Sequence, residues 1–300
     1  MGVTVNPTVS RRRLGSELRR LRQIRGMTAQ QVAERLLISQ PKLSLLENGR
    51  RLIKPRDVRD LCLLYAVQDQ QLVDELMRLA RESGRQGWWN AYGDIPYGAY
   101  IGLEAEAAAV RTYEPLVVPG LLQTPAYARA VIAGTIPHAT ADEAAWRLRV
   151  RLRRQDRLGT PGRPLRLWAV LDESALRRVV GSREVMREQL EHLTHLGAQP
   201  HITVQVLPHE SGAHPGVTGQ FSLLEFADAT DVSVVYLERF TSDLYLEKRS
   251  DVRVYSDMYA YVQAQALRPD STREFIAEAV KAYVGSEFRP EAWPLSPPHL

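Results

Sequence analysis

The chain has 300 residues, 44% of them hydrophobic and 25% charged, a composition typical of a globular protein with one large domain or two ordinary ones. No apolar run approaches the ~20 residues that span a bilayer, and the N-terminus lacks the apolar core of a secretion signal. Residues 1–81 carry twice as many basic as acidic residues, whereas residues 82–300 carry an acidic excess, which predicts a polyanion-binding module joined to a different domain.

Two helices are predicted at the start of the basic region. The first is indicated by apolar residues at helical spacing and ends at Gly26. In the second, we expect Thr28 to cap the N-terminus and Gln31, three residues later, to complete a capping box. The predicted buried side of the first helix consists of Leu14, Leu18, Leu21 and Ile24.

A third helix is predicted to follow after a short turn. Ser39 is its expected N-cap, Pro41 is tolerated in the first turn, where its missing N–H has no intrahelical partner, and Gly49 ends it. Two more amphipathic helices are predicted before residue 83, which completes a bundle of five. Cys62, the only cysteine, lies in an apolar run and is expected to be a core residue rather than a nucleophile.

Two short helices joined by a tight turn are typical of a helix-turn-helix, and the segment TAQQVAERLLISQPKLSLLENGR resembles the XRE/Cro family of repressors. The resemblance implies that the third helix enters the major groove with its N-terminal residues at the bases. The two arginines beyond it are expected to anchor phosphates. Leu45 departs from the family pattern, and could contact a thymine methyl or simply pack. The predicted DNA-binding residues are Thr28, Gln31, Ser39, Gln40, Lys42, Ser44, Arg50 and Arg51.

A domain boundary is predicted after residue 82, where the sequence becomes rich in glycine and aromatic residues. Residues 1–82 would form the DNA-binding domain, and residues 83–300 a domain for ligand or partner binding and dimerisation. Trp88 and Trp89 follow the boundary and are expected to line either a seam between the domains or a groove for a partner.

The second domain is predicted to begin with a helix over residues 100–114, followed by a helix capped by Thr124 and by a long arginine-rich helix. Strands are predicted in RLWAVL, HITVQVLP, GQFSLLEF and DVSVVYLERF, with a further one in SDLYLEK. Two helices complete the domain, the last one capped by Ser271. These elements indicate a mainly α N-terminal bundle followed by an α+β domain with a small, largely antiparallel sheet.

The segments GWW, VPGLLQTPAYARAV, GAHPGVTGQFSLLEF and VVYLE resemble the large C-terminal domain of a family of actinobacterial helix-turn-helix regulators. This resemblance implies a transcriptional regulator of development or secondary metabolism. It also implies a small partner protein encoded by a neighbouring gene, in an arrangement like a toxin–antitoxin pair.

The loop at residues 207–220 first indicates a metal or catalytic site, because His209 and His214 flank a glycine-rich turn. No further Cys or His accompanies them at ligand spacing, so a polar hairpin loop that leads into a core strand is favoured over a metal site. Phe221 and Leu223 are expected to point inward from that strand. The two histidines are expected to be exposed, as candidates for lining a ligand or partner pocket.

Arg166, Ser222 and Glu238 occur in the Arg–Ser–Glu order of ADP-ribosyltransferases, in which these residues hold a nicotinamide dinucleotide. Three residues over more than seventy positions are a weak signal, and strand-end charges are the preferred interpretation. We therefore expect no catalytic residue, no metal and no cofactor. The predicted pocket residues are Trp88, Trp89, Arg166, His209, His214, Ser222 and Glu238.

The favoured interpretation is a cytoplasmic, DNA-binding transcriptional regulator whose second domain binds a ligand or a small partner protein. A homodimer is expected because one small DNA-binding head buries little DNA surface, and its half-sites would lie about 10 bp or a multiple apart. The single cysteine allows no intrachain disulfide, which fits a reducing cytoplasm. The alternatives are a DNA-targeted enzyme with an ADP-ribosyltransferase-like second domain and an antitoxin-like protein that holds a partner.

Overall fold

The computed structural model describes residues 9–84, 97–227, 232–239 and 242–284. The chain divides into two units between Glu106 and Ala107, each with an apolar core of its own. The predicted boundary after residue 82 stays a prediction, because residues 85–96 lie outside the described ranges. No helix within those ranges is long and apolar enough to cross a membrane.

Within residues 9–84 and 97–106, the first unit contains the five predicted helices and a sixth. Leu14 and Leu43 are fully buried in its core, and Cys62 is a core residue, as predicted. Ile24 is 69% exposed, contrary to the prediction, because the last turn of the first helix extends past the core before Gly26, at a φ of 68°, ends it. The helices are α1 (Val9–Ile24), α2 (Ala29–Arg35), α3 (Gln40–Glu47), α4 (Pro55–Leu64), α5 (Gln70–Ser83) and α6 (Gly98–Glu106).

The second unit is built on a mixed sheet, with six strands among the described residues. The strands are β1 (Ala109–Glu114), β2 (Arg166–Asp172), β3 (Ile202–Leu207), β4 (Phe221–Glu225), β5 (Val234–Glu238) and β6 (Asp243–Leu246). Their order across the sheet is β3-β2-β1-β4-β5-β6. The β1–β2 and β2–β3 pairs are parallel, and the other three pairs are antiparallel. The α+β class and the antiparallel majority are confirmed, whereas the sheet is larger than expected and has a parallel half.

Strand β1 is the largest departure from the predicted elements. The sequence predicts one helix over residues 100–114, but α6 ends at Glu106 and residues 109–114 form a central strand. Val110, Thr112 and Tyr113 favour strands, and β1 pairs with β2 on one side and with β4 on the other. The helix formers in EAEAAA hide this signal in the sequence, and pairing on both sides decides the structure.

Helices flank the sheet, and the first residue of each can be compared with the N-cap that the sequence predicts. Thr124 caps α7, as predicted, because its hydroxyl accepts a hydrogen bond from the Tyr127 amide at 3.2 Å. Ser271 is not the cap of the last helix, since that helix begins at Pro269, whose ring presets the helical φ and needs no donor. The helices are α7 (Pro125–Thr135), α8 (Ala141–Gln155), α9 (Glu173–Arg177), α10 (Arg183–Leu196), α11 (Arg249–Gln265) and α12 (Pro269–Lys281).

Helix α11 covers one face of the sheet, where Tyr259 is buried in a cluster with Tyr113, Phe221 and Leu223. Phe221 and Leu223 point inward, as predicted. The strands β1, β2, β3 and β5 run in the same direction, so their last residues meet at one edge of the sheet. We call this edge the carboxyl edge, and it carries Glu114, Asp172, Leu207 and Glu238.

Candidate nucleic-acid interface

The N-terminus of α2 is fixed by a reciprocal pair of hydrogen bonds. The Thr28 hydroxyl accepts from the Gln31 amide at 3.1 Å, and the Gln31 side-chain oxygen accepts from the Thr28 amide at 2.9 Å. Two amides that the helix itself leaves without partners are thereby satisfied, so the predicted capping box is confirmed. The assignment of both residues as DNA contacts stays a prediction.

Helix α3 begins at the predicted cap and has a buried side and an exposed side. The Ser39 hydroxyl accepts from the Lys42 amide at 3.3 Å. Leu43, Leu46 and Glu47 are buried, Lys42 is half-buried, and the remaining side chains face solvent. Those exposed side chains are Gln40, Pro41, Ser44 and Leu45.

A close approach of α1 fixes the position of α3. A Cβ atom on Gly15 would lie 2.6 Å from the Leu46 carbonyl oxygen and 2.7 Å from that of Glu47. Nearby, the Arg22 guanidinium donates to both carboxylate oxygens of Glu47 at 2.6 and 2.9 Å and to the Met27 carbonyl at 2.9 Å. The hydrogen bond to Glu47 raises the pKa of Arg22. The helical pattern of the sequence predicts neither the contact of Gly15 with Glu47 nor the ion pair of Arg22 with Glu47, because the partners are 32 and 25 positions apart.

The turn between α2 and α3 is strained. Leu37 has a φ of 52° and is 94% exposed. A side chain other than glycine's in this left-handed conformation costs about 1–2 kcal/mol. The turn therefore stores a local strain that no apolar burial of Leu37 offsets.

Two arginines follow α3 on an exposed turn. Gly49 has a φ of 64°, and a Cβ atom there would lie 2.8 Å from the Cα of Arg12, so the turn packs directly on α1. The amides of Arg50 and Arg51 both donate to the Leu45 carbonyl, at 2.9 and 3.1 Å. The turn is thus held rigidly while both guanidinium groups face solvent, a geometry suited to phosphate contacts.

The structure does not bring Arg166 together with Ser222 and Glu238. Trp88 and Trp89 lie outside the described residues. Arg166 begins β2, opposite Ala109, and therefore sits at the edge of the sheet away from the carboxyl edge. Ser222 pairs with Thr112 and Glu238 ends β5, and both project from the face opposite that of Arg166. The Arg–Ser–Glu arrangement of an ADP-ribosyltransferase is therefore not assembled.

Ser222 and Glu238 instead belong to a polar row on one face of the sheet. The Ser222 and Thr112 hydroxyls are 2.9 Å apart, and Thr112 donates to Glu114 at 2.9 Å. The pKa of Glu114 is raised to about 8, first by burial and then by the nearby Glu238, while the hydrogen bond from Thr112 and two arginines of α8 act in the opposite direction. Glu114, which sequence reasoning missed because it was placed in a helix, is therefore mostly uncharged at neutral pH.

The loop with the two histidines is not the hairpin expected from the sequence. Strand β3 is at the sheet edge and β4 lies beyond β1, so the loop crosses the ends of β2 and β1 at the carboxyl edge. His214 is buried rather than exposed, with its ring edge-on to Tyr113 at 5.6 Å between centroids. A Cβ atom on Gly216 would lie 2.5 Å from the Tyr113 ring, so only glycine lets the loop pack this closely.

His209 remains half-exposed and contacts the start of α9. Its Nε2 atom is 2.9 Å from the Ser174 hydroxyl, and its amide donates to Glu173 at 2.9 Å. Asp172 lies 3.7 Å from His209 Nε2 and 3.8 Å from His214 Nε2. Sequence reasoning missed Asp172 and Ser174 because they are more than thirty positions upstream. Within the described residues, no three or more His, Cys, Asp or Glu side chains are placed to hold a metal ion.

Two protein-family models match the chain. A model described as a helix-turn-helix domain matches residues 13–76, which include α2, α3 and α4, most of α1 and the first half of α5. A model described as a domain of unknown function, DUF5753, matches residues 97–278 and includes the whole sheet. No curated protein and no solved structure is significantly similar to the chain. The first match indicates that the N-terminal helices bind DNA.

Proposed function

The chain belongs to the DUF5753 family and also carries a helix-turn-helix domain, and from this we propose that it is a sequence-specific, DNA-binding transcriptional regulator of the XRE/Cro type. The observation that carries the proposal is α3 itself. Its N-terminus is capped by Ser39, its inner side is buried on α1, and its outer side is exposed and ends in two exposed arginines. A rigid helix of this kind fits the major groove.

In this proposal the two ends of the helix-turn-helix have different tasks. Gln40 and Ser44 on the exposed side of α3, together with the half-buried Lys42 at its border, face base edges and the adjoining phosphates. Arg50 and Arg51 bind phosphates and set the register, and Thr28 and Gln31 place the N-terminus of α2 against the backbone. The excess of basic residues in residues 1–81 adds a salt-dependent attraction that is independent of sequence.

The second unit supplies the regulation in this proposal. It binds a small ligand or a small partner protein and joins two chains into a homodimer, so that two DNA-binding heads reach two half-sites. The whole regulator acts in the cytoplasm on genes of development or secondary metabolism. Its second unit binds the ligand without converting it chemically. The separation of Arg166 from Ser222 and Glu238 supports binding over ADP-ribosyl transfer.

The experiment measures the affinity of the full chain for a duplex recovered by in vitro selection, as a function of salt. Replacing Arg50 and Arg51 with Ala should weaken binding to selected and random duplexes alike. It should also reduce the slope of log K against log salt by about 2, since each lost phosphate contact contributes about 0.9.

A matched pair of arginines in the second unit is the control. Arg253→Ala with Arg273→Ala removes the same charge from two exposed side chains and should leave the salt slope unchanged. Failure to recover any preferred sequence, or binding that does not respond to salt, would show that the proposed function is wrong.

A further inference from the structure

The direction in which each side chain of α3 points follows from its buried positions. Each residue of an α-helix advances by ~100° around the axis. The buried residues Leu43, Leu46 and Glu47 occupy one arc. The opposite point of the helix falls at Pro41, with Leu45 about 40° away from it. The middle of the outward side of α3 is therefore apolar.

The polar residues of α3 lie to the sides of this apolar stripe. Gln40 and Lys42 are each about 100° from Pro41, on opposite flanks, and Lys42 is half-buried. Ser44 lies between Gln40 and Pro41, and its hydroxyl oxygen accepts from the Asn48 side chain at 3.3 Å. The side chains that can form hydrogen bonds thus border the outward surface, and Pro41 and Leu45 form its centre.

Leu45 cannot retreat into the core. It is 40% exposed, and turning it inward would require α3 to rotate about its axis. Such a rotation is blocked by the contact of Gly15 with the carbonyls of Leu46 and Glu47, and it would break both hydrogen bonds between Arg22 and Glu47. The helix therefore holds Leu45 outward in a fixed position.

In the major groove, the thymine C5-methyl is the one apolar group that base edges present. An apolar side chain at the centre of the reading surface gains nothing from phosphates or from the other base edges, which offer only donors and acceptors. We propose that Leu45, with Pro41 beside it, is a specificity-determining contact that reads a thymine methyl in each half-site. This inference rests on the proposed DNA-binding function and adds the chemical group that is read.

The test replaces thymine by deoxyuracil, one position at a time, in a duplex selected by the full chain from random sequences. Deoxyuracil keeps the pairing and the O4 acceptor and lacks only the methyl group. One or two positions in each half-site should lose affinity by about fourfold, the factor expected for one buried methyl-sized group. In Leu45→Ala the same positions should show a ratio of about one, because the partner of the methyl is gone.

Two variants separate this contact from general effects. Leu45→Met keeps an apolar side chain of similar size and should keep the deoxyuracil effect. Leu63→Ala removes a leucine that is 73% exposed on α4 and should change neither affinity nor the ratio. A flat deoxyuracil scan on a duplex that binds tightly would overturn the methyl contact and leave the proposed function standing. Recovery of no preferred duplex would overturn both.

Discussion

Replacing Gly15 with Ala tests whether the close approach of α1 sets the position of α3. Gly15 lies inside α1, where helix propensity alone predicts that Gly→Ala stabilises by about 1 kcal/mol. The structure predicts the opposite sign. A Cβ atom there would lie 2.6, 2.7 and 2.9 Å from backbone atoms of Leu46 and Glu47, which cannot rotate away as a side chain could.

The size of the effect follows from what has to move. Overpacking of this kind costs about 1–3 kcal/mol, and the shift of α3 also lengthens the hydrogen bonds between Arg22 and Glu47, each worth about 1–2 kcal/mol. After the gain in helix propensity is subtracted, we expect a net loss of about 2 kcal/mol. For a unit of this size, that loss corresponds to a fall of roughly 10 °C in the unfolding midpoint.

The measurement must report on the first unit alone, so we would use hydrogen–deuterium exchange on peptides from α1 and α3 in the full chain, together with thermal unfolding. Gly134→Ala is the matched control, because Gly134 lies in α7 with nothing within 4 Å of a Cβ atom. It should be neutral or stabilise the second unit by up to about 1 kcal/mol. If Gly15→Ala also increased protection, the argument that α3 is held by this contact would be refuted.

Three further predictions concern single sites. Leu37→Gly relieves a φ of 52° and should raise the unfolding free energy of the first unit by about 1 kcal/mol in urea titrations, whereas Leu37→Ala should not. Glu47→Leu should cost about 3 kcal/mol in the same assay, because it leaves the largely buried side chain of Arg22, which is 12% exposed, without its carboxylate, and adding Arg22→Met should restore most of the loss. Glu114 has a folded pKa of about 8 against an ordinary 4.5, so its proton stabilises the folded state fully below 4.5, and stability falls as pH rises through 8. Unfolding of Glu114→Gln at a series of pH values should lack this decline; an identical pH profile would contradict the raised pKa.

Local signals predicted the first unit well. Each of these signals lies within a stretch of four residues, so it can be identified without knowledge of the fold. They are the capping box at Thr28 and Gln31, the Ser39 cap and the helix stop at Gly26. The same kind of signal identified the start of α7 at Thr124. It failed at α12, where Pro269 rather than a serine sets the first turn.

Long-range pairing explains the main errors. Residues 109–114 have an ambiguous local pattern and become a strand only because β2 and β4 are present on both sides. With β1 missing from the predicted sheet, the loop after β3 was expected to join neighbouring strands as a hairpin. The same omission left His214 without Tyr113, the residue against which it is buried. One misassigned element thus accounts for the wrong loop type and for the wrong exposure of a histidine.

The outward side of α3 shows why a helix-turn-helix motif does not by itself identify the side chains at the centre of that surface. The sequence predicts Gln40, Lys42 and Ser44 as the DNA contacts of α3, because these residues lie near the start of the helix. Which side chains occupy the centre of the outward side depends instead on the rotation of α3 about its axis, and a change of one residue corresponds to ~100°. That rotation is fixed by Gly15 and by the Arg22–Glu47 pair, both contributed from outside the motif. Because these contacts place Pro41 and Leu45 at the centre, the polar residues lie on the flanks, and in the proposed DNA complex base preference would depend on α1 as much as on α3.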